Sequence, residues 1–527
     1  MAQGELGTVI STLEGPTTLE FSFVISGNVK KGQFVKVPTG AAGAVGAIGA
    51  AVAGVAGGKE GAANQPFVLG SVTEITRANR YFERAESVAE YERTSPMSEN
   101  FPTQDWEYVV ANVRVHGVFE GERISRSSFP VAPGGRVLAA EDSLLKKFLQ
   151  IDDNGLELGS LQHHSLLAKL SMGKLLQKHL AILAMSGSGK SYLMSVLIEE
   201  MLERKAEHGR MAVVVLDSHG EYTGFKSTQY SKNTEIISAK KFKIAFRKVA
   251  PHQLAEWIPE MSATQLRELA PIMESLRNEK KAKRESYSLE DLIAAVEAGI
   301  SEKKDNVKRP LLAWLSELRS LRIFAASDFP KLEDAISPGK LCVLDLSDIE
   351  NAKKKQILVA HFAKRLFKLR KKEKIPPFLL VVEEAHNYAP EKVEKSRALA
   401  KGPITTIARE GRKFGACLCL ISQRPVQLAT TALAQCNTNI ILRITNPFDI
   451  DHIGKTCEGI DSAMLASITT LRVGEALVVG EAVGSPIFVK IRKRKAEFSA
   501  KGKDLELIAK RFEEDKAKKK QDVEAFL

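Results

Sequence analysis

The sequence is short of cysteine, of aromatic residues and of any long Leu-rich run. Its five cysteines (Cys342, Cys417, Cys419, Cys436 and Cys457) are odd in number and lack a C-x-x-C pair, which excludes a disulfide framework and a Cys-rich zinc site. A reducing cytoplasmic setting is the reading they suggest. The first residues show no basic stretch ahead of an apolar run, so no secretory signal is expected. The most membrane-like segment, residues 40–58, is almost wholly Ala, Gly and Val. Such side chains are too small to supply the transfer energy of a spanning helix, so the segment reads as a low-complexity loop and no membrane partner is expected. Aromatic residues make up 6% and few stand among the charged ones, which favours tracking of phosphates over stacking on bases.

What is present is a globular chain of 527 residues, 44% hydrophobic and 27% charged, long enough for several domains. Its formal charge of +12 is unevenly spread: residues 1–150 carry a net −2, residues 151–489 a net +9 and residues 490–527 a net +5. Any anion-binding surface is therefore expected in the middle and the tail. No internal repeat of solenoid period is visible.

Up to about residue 140, short β-rich runs at 19–25, 33–37, 67–75, 108–119 and 136–139 are separated by Gly and Pro. This texture predicts a small β-barrel or sandwich, with 40–58 and 87–104 as long loops. From residue 179 onward apolar strands alternate with helical segments, the pattern of a parallel α/β sheet. Strands are predicted at 179–185, 211–217, 341–346, 378–383, 416–422, 438–444 and 486–491. A long interruption after Asp217 carries helical periodicity at 262–277, 288–298 and 310–321. The expected organisation is an N-terminal β-barrel domain (1–150), an α/β core in two parts (151–225 and 336–489), a helical insertion (226–335) and a basic C-terminal segment (490–527).

The chemistry starts at residues 179–191, an apolar strand followed by Ser186-Gly187-Ser188-Gly189-Lys190-Ser191 and a helix opening at Tyr192. Glycines let such a loop curl so that successive N–H groups face phosphate oxygens, and the helix N-terminus adds partial positive charge. Lys190 would reach the β- and γ-phosphates and the Ser191 hydroxyl would ligate Mg²⁺. The first position of the G-x-x-x-x-G-K-S/T pattern is Ala184, which fits if its φ stays negative.

A second apolar run, 378–382, ends in Glu383 and Glu384. Adjacent strand residues point to opposite faces, so the two carboxylates can hold separate jobs. Glu383 is assigned to Mg²⁺ through its water shell, and Glu384 to orienting and deprotonating the attacking water. Asp217, at the end of the preceding strand, is expected near the same metal. Gln423, just after the run 416–422, is placed to touch both γ-phosphate and water. Positive charge at the developing γ-phosphate could come from a neighbouring subunit, with Arg409 the first choice and Arg412 the second.

These strings, with Val215 to Tyr222, Leu380 to Pro390, Ala408 to Gly415 and Ile421 to Pro425, resemble the HerA branch of the HerA/FtsK superfamily of P-loop ATPases. The resemblance implies a RecA-like motor core, an N-terminal β-barrel, a helical-bundle insertion and a C-terminal brace that holds the adjacent subunit. It also implies a homo-hexamer with ATP bound between subunits, Arg409 acting across that interface, and a basic nucleotide contact at Lys178. Translocation along double-stranded DNA, DNA end resection in break repair and a NurA-type nuclease partner are implied as well. Lys392, Lys395, Arg397 and Lys401, after the acidic strand end, are candidate DNA-channel residues, although such a run is also what a solvated helix face looks like. Two other classes share much of this pattern: a ring ATPase that moves protein or powers secretion, and a nucleotide-gated scaffold that recruits a nuclease. Glu384 argues against the scaffold, which needs no water-activating carboxylate.

Overall fold

In the computed structural model the described residues are 4–11, 15–39, 66–79, 107–121, 123–282 and 285–497, together with a few isolated positions. The segment 40–58 and nearly all of 87–104, read above as loops, lie outside them, as does most of the chain after 497. The chain divides into two compact units, one comprising Met1–Ile151, Ser160–Ala168 and Ile487–Lys490, the other the remainder.

The first unit is a barrel. Strands β1 (Glu5–Ile10), β2 (Glu20–Ile25), β3 (Phe34–Pro38), β4 (Phe67–Asn79), β5 (Glu107–Glu120), β6 (Arg123–Ser125) and β7 (Arg136–Ala139) run in the order β2-β1-β7-β3-β4-β5-β6. Antiparallel pairing of β2 with β5 closes six of them into a ring and leaves β6 as a flap on β5. Alternation puts Phe21 and Phe23 of β2 inside with Val9, Val35, Val37, Val68, Val72, Ala111, Val113 and Val137, while Glu20 and Ser22 face outward. Closure needs bent strands, and β4 bends at a bulge between Leu69 and Gly70. A Cβ on Gly70 would stand 2.5 Å from Val113 Cγ1 and 2.7 Å from Arg114 O, so only glycine fits there.

The second unit is built on a sheet. Strands β8 (Leu180–Leu183), β9 (Ala212–Asp217), β10 (Thr234–Ser238), β11 (Leu341–Asp345), β12 (Phe378–Val382), β13 (Ala416–Ser422), β14 (Thr438–Ile441) and β15 (Glu475–Gly480) follow the order β10-β11-β9-β12-β13-β8-β14-β15. All neighbours are parallel except the final antiparallel pair. The central strands are buried along their whole length, as strands covered on both faces must be. Sequence reading passed over β10 and β15. In β10, at the sheet edge, the burial pattern of Thr234, Glu235, Ile236, Ile237 and Ser238 is mixed, without the unbroken apolar run that marks a central strand. The helical insertion consequently starts later than residue 226.

Its longer helices are Pro251–Trp257, Ala263–Ala282, Leu289–Gly299 and Asp305–Ser320. Buried Leu269, Met273 and Leu276, Leu292 and Val296, and Leu311, Leu315 and Leu318 recur at helical spacing and form the face on which the helices meet. Ser288 opens the third helix with a reciprocal cap, accepting from Asp291 N while the Asp291 carboxylate accepts from Ser288 N at 2.7 Å. Among the described residues no helix is long and apolar enough to cross a membrane.

Candidate active site

Strands β9, β12, β13 and β8 are consecutive in the sheet, so their C-terminal ends present Asp217, Glu383-Glu384, Gln423 and the loop after Leu183 side by side. The C-terminal edge of a parallel α/β sheet is where ligands bind, because loops and helix N-termini converge there.

The loop after β8 turns on two glycines with positive φ, Gly187 at 75° and Gly189 at 100°, and leads into the helix Lys190–Glu203. Nothing crowds Gly187, so there it is backbone freedom, not space, that requires glycine. Ala184 is fully buried and absent from the left-handed positions, so alanine is accommodated where the usual motif has glycine. Ser186 and Gly187 are exposed, whereas Ser188 is buried with its hydroxyl on Met185 O at 2.6 Å. Lys190 is buried, and its charge acts on Glu384 and His386.

Glu384 occupies a left-handed conformation (φ 48°, ψ 48°) at the turn from β12 into the short helix Ala385–Tyr388. A non-glycine residue held there is costly and persists only where its surroundings fix it. Its Oε2 is buried without a hydrogen-bond partner, 3.4 Å from His386 Nδ1, while Oε1 is 4.0 Å from His219 Nε2. Burial raises the Glu384 carboxyl, and Lys190, His219 and the side chain of Gln423 partly oppose that rise. Lys190, Glu384 and Gln423 are thus brought together. His386 Nδ1 lies 3.1 Å from Ser422 Oγ, and burial lowers the ring to about 4, so it is neutral at pH 7.

Glu383 is buried and accepts from the phenol of Tyr222. Burial pushes it up to about 8; the phenol pulls the other way, and Glu221, Asp217 and Glu384 add to the rise. The Asp217 carboxylate is taken up by backbone N–H groups. Its Oδ1 accepts the N–H groups of His219, Gly220 and Glu221 at 3.2, 2.7 and 3.1 Å, and its Oδ2 that of Tyr222 at 3.0 Å. Those four bonds wind 217–222 into a loop that delivers Tyr222 to Glu383 and Glu221 to Ser191, whose hydroxyl donates to the Glu221 carboxylate. Glu221, Tyr222 and His386 were not assigned from sequence. Their string was visible, but nothing in it told which acid would be spent on its own backbone.

Tyr192 is drawn away from the loop: its hydroxyl accepts from Arg494 N at 2.8 Å and its ring faces the Arg494 guanidinium. Lys178 and Arg409 stand at the opposite edge of the sheet. Lys178 precedes β8 and pairs with Glu481 at 2.6 Å, about 20 Å of strand and turn from its own phosphate loop at roughly 3.3 Å per residue. Arg409 lies exposed in the last turn of the helix Lys401–Glu410, which runs back from the β12 end towards the start of β13; Arg412 is exposed just beyond. Neither Lys178 nor Arg409 can serve the loop of its own chain. Of the basic run, Lys392 and Arg397 are exposed and Lys401 donates to Glu391 O at 3.0 Å; the Lys395 side chain lies outside the described residues.

Comparison with known proteins extends this picture. Residues 156–366 match the family described as the central domain of helicase HerA. The chain is 29% identical over 538 residues to a DNA double-strand break repair helicase HerA of Pyrococcus furiosus, covering 90% of each. It is also 29% identical over 542 residues to a probable helicase of Methanocaldococcus jannaschii, covering 93% of this chain and 95% of that one. Among solved structures, VirB4 of Thermoanaerobacter pseudethanolicus shares the fold with a TM-score of 0.50 at 16% identity, over 65% of this chain and 97% of that one. With a phosphate loop, a paired acidic strand end and this similarity along nearly its whole length, the chain resembles the HerA helicases, whose central domain residues 156–366 match.

Proposed function

We propose that the chain is an ATP-driven translocase or helicase on double-stranded DNA, working as a ring of six and acting at broken ends with a NurA-type nuclease. The observation that carries this reading is the convergence of Lys190, Glu384 and Gln423 at one sheet edge, in a chain related over nine-tenths of its length to a break-repair helicase.

The curled backbone of 186–190 and the helix N-terminus receive the phosphates, and Lys190 meets their negative charge. Glu384 has a buried oxygen with no partner and a carboxyl raised by burial, which suits a base that accepts a proton from the attacking water. Gln423, beside it, holds that water and reports the γ-phosphate. Arg409 and Lys178, at the far edge of the sheet from their own loop, would serve the neighbouring subunit's nucleotide.

Mg²⁺ fits this pocket. Such an ion keeps waters and phosphate oxygens as ligands and asks the protein for only one or two groups. Glu384 Oε2 is buried without a partner, and burial disfavours the charged forms of Glu383 and Glu384, so a cation brought beside them would favour those forms. Ser191 and Glu383 would hold the ion, and when bound it neutralises phosphate charge. Five buried, unpaired thiols suit a reducing cytoplasm. Exposed Lys392 and Arg397 are the candidates for duplex contact.

The test is the ATPase rate with and without linear duplex DNA across a salt series. Stimulation that declines as salt rises is expected, since phosphate contacts release counterions. A rate indifferent to duplex at every salt would favour a motor that moves protein.

A further inference from the structure

One buried histidine has no part in the chemistry above. His179, immediately before β8, is 2% exposed and left-handed with φ of 63°. Its Nδ1 accepts the backbone N–H of Leu418 at 3.0 Å, so its proton sits on Nε2, which donates to the carbonyl of Ala408 at 2.9 Å. Both bonds are non-local and lead to functional segments. Leu418 belongs to β13, the strand that ends at Ser422 and delivers Gln423 to the phosphates. Ala408 precedes Arg409 in the last turn of its helix.

Carbonyls in the last turn of a helix have no partner within it. The imidazole supplies one for Ala408, and so pins the turn that carries Arg409. A left-handed non-glycine residue is costly and needs over-determined surroundings. Two ring bonds, with His179 N on Leu176 O at 3.0 Å and Lys178 O receiving Asn437 N at 3.0 Å, provide them. Burial lowers the ring's proton affinity, which suits a neutral imidazole with one donor and one acceptor.

We propose that His179 is a positioning residue for the arginine finger. It fastens Arg409, offered to the neighbouring subunit's ATP, to the strand that reads the γ-phosphate in its own subunit. This rests on Arg409 acting across the interface. A change at Gln423 then has a hydrogen-bonded route through Leu418 and His179 to the finger in the next site.

The experiment uses full-length rings with saturating linear duplex. His179→Leu removes both bonds; His179→Gln keeps one donor and one acceptor. For His179→Leu, kcat should fall about 100-fold, the order that a misplaced group costs, with KM for ATP changed less than about threefold. His179→Gln should recover most of that loss. Mixing His179→Leu with Glu384→Gln subunits should raise the rate above that of either alone, because intact fingers then serve intact phosphate loops. A purely structural defect in the His179→Leu loop would not respond to mixing. Arg409→Ala with Glu384→Gln is run in parallel. If that pair recovers and the His179→Leu pair does not, the proposal is overturned while the finger stands. If neither recovers, both fall. Should His179→Leu fail to fold, His179→Gln decides: an assembled ring with a rate about 100-fold down would overturn the proposal.

Discussion

Glu199, fully buried on the helix that follows the phosphate loop, pairs with Arg492 at 2.8 Å and also accepts the backbone N–H groups of Lys495 and Ala496 at 2.7 and 2.8 Å. Arg492 reaches Glu200 as well, and Lys495 pairs with Glu203. The sequence resemblance implied a C-terminal segment bracing an adjacent subunit. In its described part that segment grips the motor helix of its own chain.

Removing one member of such a pair leaves the other charge or its donors unsatisfied. Glu199→Ala is therefore expected to lower unfolding stability by about 3 kcal/mol, more than an exposed ion pair such as Lys455 and Asp451 could contribute. Denaturant titration of the two alanine variants, Glu199→Ala and Asp451→Ala, gives the comparison; equal midpoints would contradict it.

Glu384→Gln keeps the size of the side chain and removes the base. It is expected to bind ATP with an affinity near that of the parent and to hydrolyse it about 100-fold or more slowly. Equilibrium binding of a fluorescent ATP analogue and single-turnover hydrolysis measure the two separately. Near-normal turnover would reassign the base.

The Ser191 hydroxyl donates its proton to Glu221 and keeps the lone pairs of its oxygen, so the same hydroxyl could face a metal ion without losing that contact. Glu221 would then add negative charge beside the ion. In Glu221→Gln that charge is gone, and the Mg²⁺ concentration giving half-maximal binding of an ATP analogue should rise. A fall would instead mean that Glu221 competes with the ion for Ser191.

His361 stands between the rings of Phe242 and Trp257, with Asp328, Arg365, Lys364 and Lys248 as its charged neighbours. Burial lowers it from the ordinary 6.5 to about 4. The unfolded chain therefore takes up this proton first, so the group's contribution to stability is whole above pH 6.5 and is lost as pH falls towards 4. His116 in the barrel behaves alike, also lowered to about 4 by burial. Thermal stability should decline over that window, and His361→Phe, which keeps a ring against Phe242 and Trp257, should lose less between pH 7 and pH 5. Parallel pH profiles for parent and variant would contradict this.

Much of the site was legible because local chemistry fixes it. Gly187 and Gly189 announce a turn that only glycine makes easily, and the run from Phe378 to Val382 ends abruptly in two acids. The central strands read correctly because both faces are buried. Edge strand β10 did not, since its mixed burial pattern lacks their unbroken run. The roles of Asp217, Glu221 and Tyr222 were hidden for another reason. Their division of labour depends on which carboxylate closes on its own backbone, a three-dimensional outcome that alternation along a strand does not encode. His179 is harder still, because both its partners are more than two hundred residues away and are backbone groups, which carry no sequence signature.

The central claim is motion along duplex DNA driven by hydrolysis at this site. Displacement of a fluorescent third strand from a triplex, on a linear duplex with ATP and Mg²⁺, measures it most directly. The expected result is ATP-dependent displacement by the parent chain, lost in Glu384→Gln and in Arg409→Ala. Full ATPase activity with no displacement on any duplex, or displacement that survives in Glu384→Gln, would contradict it.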